Sequence, residues 1–305
     1  MLQFITFSSK SGWLQHAGGV GRLIELRGPW RHQSLAERQI LESSRMAIAL
    51  ECFVKRKRCF LEHPDWKIIP WALAPESKTP ILLIHDILVD LPGLMEDAIA
   101  LKRPILSPDH FFYQLQTLSS KLEAHLGELY TWRLDWELAN PDACYEVANP
   151  SKSEVQDPLF PTILYFTTLT AANEITTYNA ILLLILKLGY DAIGSSFMTS
   201  ALSIASAPLT ISQPVVSSNP LYLPGNAPNP QAIATEICRS AEYHLLDDQR
   251  SGGAFFLLFP LRIAYQAFEE GAREKQWLEA LMQRVADCSG WEIGRNIGSD
   301  TAVGR

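Results

Sequence analysis

Residues 107–136 read SPDHFFYQLQTLSSKLEAHLGELYTWRLDW. Their apolar side chains, Phe112, Leu115, Leu118, Leu122, Leu126, Leu129, Trp132 and Trp136, recur in steps of three and four. That spacing places them on one face of an α-helix. The ends are punctuated to match. Ser107 is a good N-cap, and Pro108 stands where the missing N–H would have had no intrahelical partner. Asn140 and Pro141 supply the stop.

The same period extends outward. Leu35 to about Leu61 carries Ile40, Leu41, Met46, Ile48, Ala49 and Phe53 with no proline or glycine. Asn229-Pro230 repeats the cap-then-proline signature ahead of Ile233, Ile237, Ala241 and Leu245, and Trp277, Leu281, Val285 and Cys288 form a further stripe after Arg273-Glu274-Lys275. Pro161 to Leu188 and Gly253 to Phe268 are apolar all round and predict the innermost helices, the second interrupted or kinked at Pro260. No alternating pattern of useful length predicts a strand. The fold class expected is all-α: a large array of packed antiparallel amphipathic helices joined by Pro-rich loops. One domain is drawn over 1–305, with loop excursions near 63–80, 140–161 and 206–230. The apolar run Ala180–Leu188 is too short for a bilayer span and reads as a buried core helix.

Composition narrows the function classes. The 305 residues carry 26 Lys plus Arg against 33 Asp plus Glu, a formal net charge of −7, with 47% hydrophobic residues. This is the composition of a globular chain. An acidic balance argues against wrapping nucleic acid unaided, because affinity for phosphates comes from Lys and Arg displacing counterions. Five cysteines, Cys52, Cys59, Cys144, Cys238 and Cys288, are an odd number with no secretory signal ahead of them, so a reducing, intracellular compartment is expected.

Motif tests for chemistry return nothing specific. Cys52 and Cys59 flank the basic run Lys55–Arg58, yet no other cysteine lies near enough to complete a four-ligand zinc site. Gly18, Gly19 and Gly21 lack the spacing and the preceding strand of a dinucleotide loop and predict a tight helical corner. Asp247 and Asp248 begin an aspartate-rich helix end that Arg250 breaks off. Asp86, Asp90, Glu96 and Asp97 share one predicted helical segment, and the i, i+4 spacing of Asp86 and Asp90 reads as a solvated face. His16, His85, His110, His125 and His244 stand on separate segments. Trp66, Trp71 and Trp291 are candidate interface anchors, with wedging between helices the plainer alternative. No catalytic, cofactor-binding or metal-ligating residue is assigned, and no enzyme activity or cofactor is expected.

The segments His16–Pro29, Lys57–Glu62 with Trp66-Lys67 and Pro70-Trp71, Gly252–Tyr265, and Gly290–Asn296 together resemble the C-terminal regulatory region of fungal binuclear-zinc-cluster transcription factors. The resemblance runs from about residue 12 to residue 298. It implies a transcription regulator in the nucleus, in a family whose members commonly control secondary-metabolite gene clusters. It also implies that the sequence begins inside the regulatory region and lacks the N-terminal six-cysteine cluster. The expectation is action through protein partners, either other transcription factors or self-association, with DNA reached only indirectly unless an upstream zinc cluster exists, and with no membrane. The alternative is a helical accessory, scaffold or effector-binding protein without a transcriptional role.

Overall fold

The structure, a computed structural model, describes residues 10–102, 107–149, 158–206, 217–246 and 250–289. In chain order its helices are α1 (Lys10–Arg27), α2 (Leu35–Lys55), α3 (Pro64–Ile68), α4 (Pro80–Leu88), α5 (Leu91–Ala100) and α6 (Pro108–Ala139), then, after a strand pair, α7 (Leu169–Ile193), α8 (Ser195–Ser206), α9 (Pro230–His244), α10 (Arg250–Ala267) and α11 (Arg273–Ser289). The pair is β1 (Cys144–Ala148) and β2 (Thr162–Phe166). The fold is all-α apart from this small addition.

The long helix forms as its spacing predicts. The Ser107 hydroxyl accepts from the His110 amide at 3.3 Å, and Asn140 closes the other end by donating its side-chain amide to the Trp136 carbonyl at 2.9 Å. Leu118, Leu122, Leu126, Leu129, Trp132 and Trp136 are buried, whereas Phe112 at the open end is exposed. Asn229 caps α9 by accepting from the Ala232 amide at 2.8 Å, and Ile233, Ile237 and Ala241 are buried below it.

Several expectations change. The residues from Pro161 do not continue a helix: Thr162–Phe166 pair antiparallel with Cys144–Ala148, Cys144 opposite Phe166 and Ala148 opposite Thr162. β-Branched and aromatic side chains suit that half-buried ladder, and Ile163, Leu164 and Phe166 face the core. The helix starts later, where the Thr168 hydroxyl accepts from the Ala171 amide at 3.1 Å. The partner strand therefore occupies part of the span read as the 140–161 loop.

The span 63–80 is likewise not a loop excursion. It winds through short helical turns at Phe60–Glu62, α3, Ile69–Trp71 and Pro75–Ser77, and Pro64, Pro70, Pro75 and Pro80 each open one of these turns or α4. Proline fixes φ at a value a helix start requires, so it initiates here and does not merely interrupt. α2 stops at Lys55, short of Leu61, because Arg56 takes the left-handed conformation at φ 55 and bonds back to the Cys52 and Phe53 carbonyls. Gly18, Gly19 and Gly21 lie inside α1, and the corner falls at Gly28, φ 75. α10 stays helical through Pro260.

The described residues divide into two compact units, where the sequence reading draws no boundary. One comprises residues 11–132 and 185–206, the other residues 133–184 and 217–289. In the first, α2 packs against α4 and α5, Trp132 donates its indole N–H to the Pro80 carbonyl at 2.9 Å, and Gly189 leaves room for the Phe197 ring, which a Cβ would meet at 2.2 Å. In the second, α9 packs against α10 and β2, and α10 against α11. The α9–α10 approach is close because Gly253 has no Cβ: one placed there would lie 1.9 Å from the His244 carbonyl oxygen. α7 runs to 25 residues and by length and composition alone could cross a membrane, but 78% of its most apolar window is buried within the protein. That burial is the core-helix outcome.

Candidate functional site

In the second unit, a groove of about 530 Å³ opens beside α9, lined by Tyr222, Asn229, Thr235, Glu236, Arg239 and Phe268 among others. Glu236, 3% exposed, forms its floor. One carboxylate oxygen accepts from the Tyr222 amide at 2.6 Å, and the other accepts from the Asn179 side-chain amide at 3.0 Å. Burial pushes this carboxyl up to about 7, against the pull of those two donors and of the Arg133 and Arg239 charges. Arg239 in turn donates to the Thr162 carbonyl at 3.1 Å and the Thr162 hydroxyl at 2.8 Å, and pairs with Glu146.

The stretch that covers this floor is pinned from behind. Asn219 donates to Glu137 at 2.9 Å and to the Asn140 carbonyl at 2.7 Å, and accepts from the Cys144 amide at 2.8 Å. Ser217 also donates to Glu137, which pairs with Arg133 one turn back on α6. Thus the end of α6, β1 and α9 all hold residues 217–222. A groove with an apolar wall, a carboxylic acid and amide donors suits a small polar effector. Sequence spacing could not reveal it, because Glu137, Asn179, Asn219 and Glu236 come from four separate segments, each outside any motif.

In the first unit, the acidic set behaves differently from a solvated face. Asp86 ends in α4, and Asp90 precedes α5, with Pro92 opening the new helix. The Asp86 and Asp90 side chains are only 17% and 14% exposed. Asp86 pairs with Arg45 and Lys78, both of which lie over the Trp71 ring, at 5.2 and 4.7 Å from its centroid. Asp90 pairs with Lys67 at 2.6 Å and His125 at 3.3 Å. Glu96 and Asp97 bind Lys57 and Arg58 at 2.9 and 2.6 Å. Each carboxylate is paired, as the largely buried Asp86 and Asp90 must be, whereas Glu96 and Asp97 stay partly exposed.

Trp66 and Trp71 are wedged, not presented. Trp66 meets Phe60 edge-on with centroids 5.1 Å apart, and Trp71 donates to Glu42 at 3.1 Å. Trp291, Asp247 and Asp248 lie outside the described residues. His85 and His244 are buried, and burial pushes them down to about 3 and about 4. Cys52 and Cys59 are also buried, and each thiol shifts the other's proton affinity. Among the described residues no three His, Cys, Asp or Glu side chains converge to hold a metal ion.

Exposed large apolar residues occur along the chain, and four of them follow one another on a single short stretch. Leu23 and Leu26 sit one turn apart on α1, followed by Trp30 and Leu35, and each is at least 63% exposed. Leu23, Leu26 and Trp30 fall within or just after the segment His16–Pro29.

No family model matches the chain, and no solved structure matches it. It is 28% identical over 128 residues to an uncharacterized protein of Emericella nidulans. The match covers 39% of this chain and 24% of that protein, so the shared part is about a quarter of the fungal relative.

Proposed function

We propose that this chain is the helical regulatory region of a fungal transcription regulator of the zinc-cluster type, one that controls a secondary-metabolite gene cluster and reaches DNA through a protein partner. The observation that carries the partner half of this reading is the exposed run Leu23, Leu26, Trp30 and Leu35. Large apolar side chains exposed together on one short stretch favour a protein contact, and tryptophan is among the residues that dominate such contacts. The acidic charge of −7 agrees with DNA contact delegated elsewhere. The segment resemblance supplies the family and the nuclear setting, and the similarity to a fungal protein is compatible with it.

The groove over Glu236 supports the second reading, an effector-binding accessory protein with no role in transcription. The two separate on one experiment. Tagged chain is purified from nuclear extract beside its Leu26→Glu/Trp30→Ala variant, and co-purifying proteins are identified. The regulator reading expects a DNA-binding factor that the variant loses while its circular dichroism stays unchanged. Chain found only outside the nucleus, with no such factor, favours the accessory reading.

A further inference from the structure

We propose that Cys52 and Cys59 are a redox modification site that closes reversibly to an intramolecular disulfide, with a water-sized peroxide as the oxidant. The chain geometry brings them together. α2 ends at Lys55, Arg56 turns left-handed, and the Lys57 amide bonds back to the Cys52 carbonyl at 3.0 Å, so the backbone doubles on itself and returns Cys59 to Cys52. The two thiols act on each other directly, and the Cys52 S–H reaches Glu51 at 3.6 Å. Thiols already in contact across a tight reversal need little backbone movement to bond.

The pair is polarised as a nucleophile and a resolving thiol need to be. The Cys52 hydrogen bond, the Leu61 amide and the Arg45 charge hold Cys59 below the ordinary thiol value against the opposing effect of burial. Cys52 is pushed up by its bond to Cys59, by burial and by Glu51. The thiolate is the reactive form. The Cys59 sulfur attacks one peroxide oxygen, the O–O bond breaks, and the departing hydroxide takes up a proton as water, leaving a sulfenic acid. The Cys52 sulfur then attacks that sulfur, the S–O bond breaks, and the hydroxyl leaves with the Cys52 proton as a second water. Two thiols are oxidised and one peroxide is reduced to two waters. Cys52 is 8% exposed and Cys59 is fully buried, which selects a small oxidant over a bulky disulfide. In a reducing compartment such a bond is transient, as redox-sensing disulfides are.

Between the two sulfurs lies the basic run Lys55–Arg58, whose Lys57 and Arg58 hold Glu96 and Asp97. Closure would lock the turn that presents those cations. The same run makes the test direct, because trypsin cuts within it and leaves Cys52 and Cys59 on peptides joined only by a disulfide. The intact chain is treated with hydrogen peroxide, free thiols are blocked, and the denatured protein is digested and mapped by mass spectrometry. The Cys52–Cys59 linked pair is expected as the main oxidised product, split again by dithiothreitol and lost in Cys52→Ser and Cys59→Ser, while Cys238→Ser leaves it intact. Recovery of the two peptides unlinked, as thiols or sulfinic acids, or linked instead to Cys144, Cys238 or Cys288, overturns the proposal. Mapping of the unmodified chain decides the matter even if a serine variant fails to fold.

Discussion

Asn219 donates its side-chain amide to Glu137 at 2.9 Å across 82 positions of sequence, and the same amide reaches the Asn140 carbonyl at 2.7 Å. One side chain thereby fastens the non-helical stretch before α9 to the end of α6, and through the Cys144 amide to β1. Asn219→Ala removes three hydrogen bonds and leaves part-buried partners unmet, so it is expected to cost about 1–3 kcal/mol. Glu137→Ala strands the buried Arg133 guanidinium and is expected to cost more, about 3–5 kcal/mol. Urea unfolding of both variants checks the order; a Glu137→Ala loss no larger than that of Asn219→Ala would contradict it.

Glu236 gives the fold an unusual pH response. Its carboxyl, raised to about 7 by burial, binds a proton in the folded state at pH values where the unfolded chain, near 4.5, has released it. Stability from this group is therefore present below about 4.5 and is lost as pH rises to about 7, by an amount on the order of 3 kcal/mol. Glu236→Gln keeps the shape without the ionisation. Its unfolding free energy, subtracted from that of the parent chain at each pH, is expected to show this slope between pH 4.5 and 7; a flat difference would show that the carboxyl titrates normally.

His85 acts in the opposite direction. Burial pushes it down to about 3, with the Arg45 charge adding to the effect, so below about 6.5 the unfolded chain takes up a proton that the folded chain refuses. Stability falls as pH drops from 6.5 toward 3, on the order of 3 kcal/mol by pH 4. Neither ring nitrogen has a hydrogen-bond partner among the described residues. His85→Met is accordingly expected to be neutral or stabilising at pH 7 and to flatten the acid limb of the stability curve. Thermal unfolding from pH 4 to 7 reads both effects.

Gly253 is where α10 meets the end of α9. A Cβ there would press on backbone, the His244 carbonyl, which cannot swing aside as a side chain can. Gly253→Ala is expected to cost more than about 3 kcal/mol despite alanine's better helix propensity, whereas the neighbouring Gly252→Ala, whose Cβ would meet Leu169 at an ordinary 3.8 Å, is expected to be tolerated. Equal melting temperatures for the two variants would refute the close approach.

Periodicity revealed α6 and α9 because each sets a buried face of several turns against a capped start, a signal that is local and redundant. It missed β1 and β2 because a five-residue strand whose partner lies beyond a long connection leaves no local pattern, and the apolar Thr162–Phe166 reads equally as helix. The 63–80 prolines were misleading for a related reason: proline marks a helix start as readily as a loop, and only the buried Trp66 and Trp71 decide between them. The groove was illegible because Glu236 and Asn179 look like solvated helix residues until packing buries them together. The Cys52–Cys59 pair was visible as spacing, but its contact depends on the left-handed Arg56 that ends α2 early.

The most direct test of a partner-borne regulator is chromatin immunoprecipitation of the tagged chain, compared with its Leu26→Glu/Trp30→Ala form. The account predicts enrichment at the promoters of a gene cluster by the parent chain and its loss in the variant, with equal protein levels. A chain that is absent from chromatin, or a variant that stays bound as strongly as the parent, would contradict it.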